Sequence, residues 1–183
     1  MNKNLTKLIY AALCLALCIV LPFLTANNRL LGNILCLMHI PVFLCGFLCG
    51  WPWGLAVGAI APVLRSAIIG MPPMYPTATA MAFELAAYGL LCGLLYRVLP
   101  KKPWNIYITL IIAMLAGRIV SGLVQFAFLG LFGTEYSMRV FLTSSIVTPW
   151  PGILIQIVLI PLIVYALDRA GLVPNSRTPR VTE

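Results

Sequence analysis

"GMPPMYPTATAMAFELAAYG", residues 70–89, is the stretch whose reading decides how the chain folds. Pro72, Pro73 and Pro76 remove backbone donors and push the residues ahead of them out of the helical region, so Gly70–Pro76 predicts a loop. From Thr77 the sequence is proline-free and almost wholly apolar as far as Val98. At ~1.5 Å per residue such a helix crosses a hydrocarbon core of ~30 Å. One carboxylate, Glu84, stands inside it. An ionised side chain at mid-bilayer costs ~2.5–3.5 kcal/mol on insertion scales, so Glu84 must face the interior of a helix bundle and find a partner there.

Working outward, the same composition recurs. Of 183 residues, 62% are hydrophobic and 9% charged, a balance too apolar for a water-soluble domain. Apolar runs predict six spans: Leu5 to Leu24, Leu31 to Gly50, Gly54 to Ile69, Thr77 to Val98, Asn105 to Phe132, and Gly152 to Leu167. The expected fold is an all-α membrane protein with six transmembrane helices. Residues 1–170 form one polytopic six-helix transmembrane domain, and residues 171–183, which include "NSRTPRVTE", form a disordered cytoplasmic tail. "GWPWG", Gly50–Gly54, reads as a tight inner turn between spans 2 and 3. The first span has the basic lead of a signal peptide, but no small-x-small cleavage site follows, so it reads as a retained helix.

The net charge of +8 raises the question of nucleic acid, and the positions of the twelve Lys and Arg argue for topology instead. Lys3, Lys7, Arg97, Lys101, Lys102, Arg169, Arg177 and Arg180 all fall on one side of a six-span protein. By the positive-inside rule that side is the cytoplasm and holds both termini. Arg29 and Arg139 fall in outer loops, while Arg65 and Arg118 lie within apolar spans.

All six cysteines sit in apolar runs and read as small hydrophobes. Cys45 and Cys49 are one turn apart, but no histidine or carboxylate completes a ligand set, so no metal is expected. Gly46, Gly50, Gly54 and Gly58 recur every four residues, with Pro52 interrupting the row, and Gly89 and Gly93 repeat the spacing. Small residues so placed let helix backbones approach within the bundle. In span 1, Ala12 and Ala16 form a similar pair that either packs internally or meets another membrane subunit.

Helix rise places Arg65, Glu84 and Arg118 in the outer half of the bilayer or near its midplane. Glu84 is at a depth to pair with Arg65 or Arg118, Tyr88 adds a hydroxyl one turn away, and Gln125 lies two turns from Arg118. One acid against two bases leaves a positive surplus suited to an anionic ligand group. The alternative is a buried ion-pair network that only fixes helix register. His39 is either a ligand contact or a hydrogen-bonded histidine of the bundle. No zinc-protease motif, nucleophile elbow or phosphate-cradling loop is present, so enzymatic chemistry and cofactors are not expected. Any use of ATP then needs another subunit.

Taken together, "AALCLA" (Ala11–Ala16), "HIPVFLCGFLCGWPWGLAVGAIAPVLRS" (His39–Ser66), "GMPPMYPTATAMAFELAAYGLLCGLLY" (Gly70–Tyr96) and "PGILIQIVLIPLIVYAL" (Pro151–Leu167) resemble the substrate-binding S components of energy-coupling factor (ECF) transporters. The proline-glycine pattern is most similar to the branch with riboflavin and pantothenate binders. The resemblance implies high-affinity capture of a vitamin in the cytoplasmic membrane, with transfer through a transmembrane coupling subunit driven by two ATPase subunits. It puts Ala12 and Ala16 at the coupling contact and Gly70–Pro76 at a substrate lid, with Pro149 and Trp150 as the lid's counterpart. Polarity and depth select Arg65, Tyr75, Glu84, Tyr88, Arg118, Gln125 and Trp150 as substrate-binding candidates. A stand-alone ion-coupled secondary transporter, with Glu84 as its titrating group, is the rival reading.

Overall fold

The computed structural model describes residues 3–25, 35–100, 104–131 and 150–170. They form six helices: α1 (Lys3–Val20), α2 (His39–Cys49), α3 (Trp51–Ile69), α4 (Thr79–Val98), α5 (Trp104–Leu131) and α6 (Trp150–Arg169). A 3₁₀ turn, Leu21–Thr25, extends α1. The expected loop before span 6 lies outside the described residues up to and including Pro149, as does the tail from residue 171.

Five of the six helices are long and apolar enough to cross a membrane, and α2 is not. The described residues thus show five of the six expected spans at full length. Helix α2 has 11 residues, all buried, and at ~1.5 Å per residue it covers about half of a hydrocarbon core. Residues 26–34, which include the first part of the expected second span, lie outside the described residues. A helix wrapped by protein need not match the bilayer, because its end groups find partners within the fold. The His39 amide donates to Cys36 O at 3.0 Å and the Gly50 amide to Gly46 O at 3.1 Å.

The link from α2 to α3 is shorter than the expected turn. Gly50 alone reverses the chain, with φ at 92°, a conformation that glycine adopts without the Cβ penalty. Trp51 and Pro52 already belong to the first turn of α3. Proline is favoured at a helix start, where its missing donor would have had no partner. Pro52 therefore begins a helix and does not break one.

The glycine rows pack α2, α3 and α4 backbone to backbone, as their spacing predicts. A Cβ on Gly54 would lie 2.6 Å from Gly89 O, and one on Gly46 would lie 2.9 Å from the same oxygen. Gly58 meets the backbone of Leu85, and Gly93 meets that of Trp51. Helix α4 packs on α2, α3 and α5, while α2 touches α1, α3, α4 and α6. The core between them holds Phe43, Phe47, Leu85, Leu110, Ile160 and Val164. Leu115, Ile119, Leu123 and Phe126 of α5 and Val158 and Leu162 of α6 are exposed, the apolar outer surface that lipid requires.

At its far end α3 stops at Gly70, whose left-handed φ of 74° caps the helix through a bond from its amide to Ser66 O. Ser66 Oγ donates to Pro72 O at 2.7 Å and holds the proline loop against the helix end. Tyr75 is extended (φ −125°, ψ 137°), and regular helix resumes at Thr79.

Candidate functional site

Glu84 is 5% exposed and points into the bundle. Its Oε1 accepts a 2.6 Å hydrogen bond from the Tyr88 hydroxyl and lies 3.3 Å from Arg118 Nη1 and 3.9 Å from His39 Nε2. Three elements converge here for reasons written in their lengths. Glu84 lies 14 positions before the end of α4 at Val98, and Arg118 lies 14 positions after the start of α5 at Trp104. Antiparallel neighbours joined by a short hinge then bring the two to one level, about 21 Å from the hinge at ~1.5 Å per residue. Tyr88 follows Glu84 by four residues and shares its face. His39 enters at the first turn of α2, whose shortness ends it inside the bundle.

The Tyr88 ring is clamped from two sides. Phe43 stacks on it with ring centres 4.7 Å apart, and Gly117 lies against its other edge. A Cβ at Gly117 would overlap the ring, so this glycine sets where the phenol, and through it Glu84, can sit. Sequence reasoning missed Gly117; a glycine inside a helical run, next to Arg118, was the available signal. Gln156 was missed too: it is buried on α6 and its Nε2 donates to Cys36 O at 3.3 Å, tying the last helix to the entry of α2.

The remaining candidates stand apart from this cluster. Arg118, not Arg65, is the guanidinium beside Glu84. Arg65 is half-buried on α3, one turn before its end. The pair therefore cancels its own charge, and the expected positive surplus is not concentrated at Glu84. Gln125 Nε2 donates to Ser121 Oγ at 3.2 Å, and both lie on α5 beyond Arg118. The Tyr75 hydroxyl donates to Phe128 O at 3.2 Å, with the two rings edge to face at 5.4 Å. Tyr75 thus ties the proline loop to the far end of α5. Trp150 opens α6 and is exposed. On α1 the alternatives separate: Ala11, Cys14 and Cys18 are buried, whereas Ala12 and Ala16 are exposed on a face shared with Leu5, Leu8, Ile9 and Leu13.

The six cysteines are free and buried. Among the described residues no group of three or more His, Cys, Asp or Glu is arranged to hold a metal. Around Glu84 the described residues gather a phenol, a guanidinium and an imidazole on one carboxylate, sunk in an apolar bundle.

Residues 6–164 match the family model described as ECF transporter, substrate-specific component. The chain belongs to this family. It is an S component, the membrane substrate-binding subunit of an ECF importer and not an enzyme. As such it is a multi-pass plasma membrane protein that works with a coupling subunit and ATPases on a small-molecule substrate. No curated protein and no solved structure matches the S component.

Proposed function

We propose that this S component captures a vitamin or related micronutrient at the Glu84–Arg118–Tyr88 cluster and passes it to a coupling subunit that docks on the Ala12/Ala16 face of α1. The observation that carries the first half is the convergence of Arg118 and Tyr88 on one buried carboxylate oxygen, level with the shortened end of α2. Polar groups brought together at such depth offset part of their desolvation on each other and retain donors and acceptors for a ligand. The second half is supported by exposure: two alanines four residues apart, flanked by leucine and isoleucine, form a shallow apolar strip that none of the described helices covers.

In this reading both termini face the cytoplasm and the proline loop faces outward, in a cytoplasmic membrane. As proposed, Gln125, on α5 beyond Arg118, is part of the route from the loop to the cluster, with Tyr75, Arg65 and Trp150 at its mouth. The pairing of Glu84 with a guanidinium also favours capture over ion coupling, because a carboxylate engaged this way is a poor seat for a coupling cation. Mass spectrometry of small molecules retained by the purified protein, followed by titration of riboflavin, pantothenate, thiamine, biotin and nicotinate, tests the proposal. Submicromolar binding of one vitamin is the expected result. Uptake by the isolated chain in liposomes, driven by a proton or sodium gradient without ATP, would instead establish the secondary transporter.

A further inference from the structure

We propose that His39 is a further substrate-contacting residue, its Nδ1 accepting a hydrogen bond from an N–H or O–H group of the captured molecule. The inference rests on the substrate-binding reading of the Glu84 cluster and adds to it the chemistry of the ligand. His39 is 5% exposed, and among the described residues its buried Nδ1 has no hydrogen-bond partner. A polar atom in that position is costly to leave unmade, and native proteins keep few of them without a use.

The two ring nitrogens have different surroundings. Nε2 faces Glu84 Oε1 at 3.9 Å, and a carboxylate favours the proton on the nitrogen turned toward it. Arg118 lies against the same carboxylate oxygen. With a carboxylate on the Nε2 side, the proton belongs on Nε2 and the Nδ1 lone pair is the acceptor. Tyr88, with its ring centre 5.6 Å away, helps hold this orientation. His39 also sits in the first turn of a helix that is buried from end to end, so what reaches Nδ1 must come into the bundle.

The same reasoning narrows the ligand. Glu84 meets Tyr88, Arg118 and His39 through Oε1, and a carboxylate has acceptor capacity beyond these contacts. Arg118 has N–H groups beyond the one nearest Glu84. A site with two acceptors and a guanidinium matches a polar heterocycle, amide or hydroxylated chain that carries both donors and acceptors. It does not match a simple anion.

His39 is the one histidine of the chain, so [15N]histidine labelling of the full-length protein in lipid nanodiscs reports this ring alone. In the absence of added vitamin the spectrum should show the proton on Nε2 and Nδ1 as an acceptor without a bond. Of riboflavin, pantothenate, thiamine, biotin and nicotinate, the one that binds should move the Nδ1 resonance as a new hydrogen bond does and leave Nε2 nearly in place. His39→Phe, which keeps ring bulk, should weaken that vitamin about tenfold or more, as loss of one hydrogen bond at a buried site predicts. A proton on Nδ1, an Nδ1 already bonded within the protein, or an unmoved Nδ1 upon binding would overturn the proposal. If none of the five binds, the vitamin reading falls, while the spectrum of the protein alone still decides whether His39 presents an open acceptor. Should His39→Phe fail to fold, the spectra of the wild-type protein carry the test unaided.

Discussion

Arg118 and Glu84 illustrate how much one contact changes the meaning of two residues. Each is an anomaly in an apolar helix, and together they form a pair that the bundle can bury. Removing one partner strands the other, so Arg118→Ala should destabilise by about 3–5 kcal/mol, read as a lowered melting temperature in detergent. Adding Glu84→Gln should recover much of that loss. The double variant should still bind its vitamin at least tenfold more weakly than wild type, since a hydrogen bond to a charged group is worth ~1.5–3 kcal/mol. Unchanged affinity in a titration would remove Arg118 from the site. Gly117→Ala offers a subtler check. Its methyl group would press on the Tyr88 ring, pull the hydroxyl from Glu84 and lower affinity without altering any polar group. Tyr88→Phe should give an effect of similar size. Glu84, Tyr88 and Arg118 were legible as single residues because charge and hydroxyl groups stand out in an apolar run. Gly117 was not, because its role is to make room for the Tyr88 ring of a neighbouring helix, far away in the chain, and only contact shows that.

At the scale of elements, α2, α3 and α4 share glycine faces, and their spacing every four residues told in advance that backbones would meet. Gly58→Leu or Gly89→Leu should force α3 from α4, at a cost above the ~1–3 kcal/mol usual for overpacking, because the obstacle is backbone and cannot swing aside. Loss of folded protein after extraction, or a markedly lower melting temperature, is the expected outcome. The proline loop makes a different prediction. Ser66 and Tyr75 pin it to α3 and to α5. Tyr75→Phe removes one hydrogen bond, worth about 0.5–1.5 kcal/mol, so a bound vitamin should dissociate several-fold faster in stopped-flow measurements while the melting temperature hardly moves. Helix boundaries for spans 3 to 6 were legible to within a few residues from hydropathy and proline alone. That α2 begins only at His39 was not, since the expected second span is apolar on both sides of that point.

For the whole molecule, the proposed function makes the face of α1 the point at which capture becomes transport. Ala12 and Ala16 are exposed, and the residues that pack α1 onto the bundle are Ala11, Cys14 and Cys18. Replacing Ala12 and Ala16 with leucine should therefore leave vitamin affinity and melting temperature near wild type while abolishing copurification with a coupling subunit and uptake into proteoliposomes. Copurification at wild-type yield would reject the assignment. The pattern of small residues was visible in sequence, but its direction was not: an alanine pair reads the same whether it faces a helix of its own chain or a partner.

The sequence by itself determined that this is a helical membrane protein, where most of its helices run, which residues are too polar to face lipid, and to which family it is similar. Those properties follow from composition and local periodicity, because transfer into a hydrocarbon core is priced residue by residue. Only the tertiary structure decided that Arg118 and not Arg65 stands beside Glu84, that His39 joins them with one nitrogen open among the described residues, that α2 begins at His39, and that the alanines look outward. Each of these depends on the rotation and level of one helix against another, which packing sets between residues far apart in the chain.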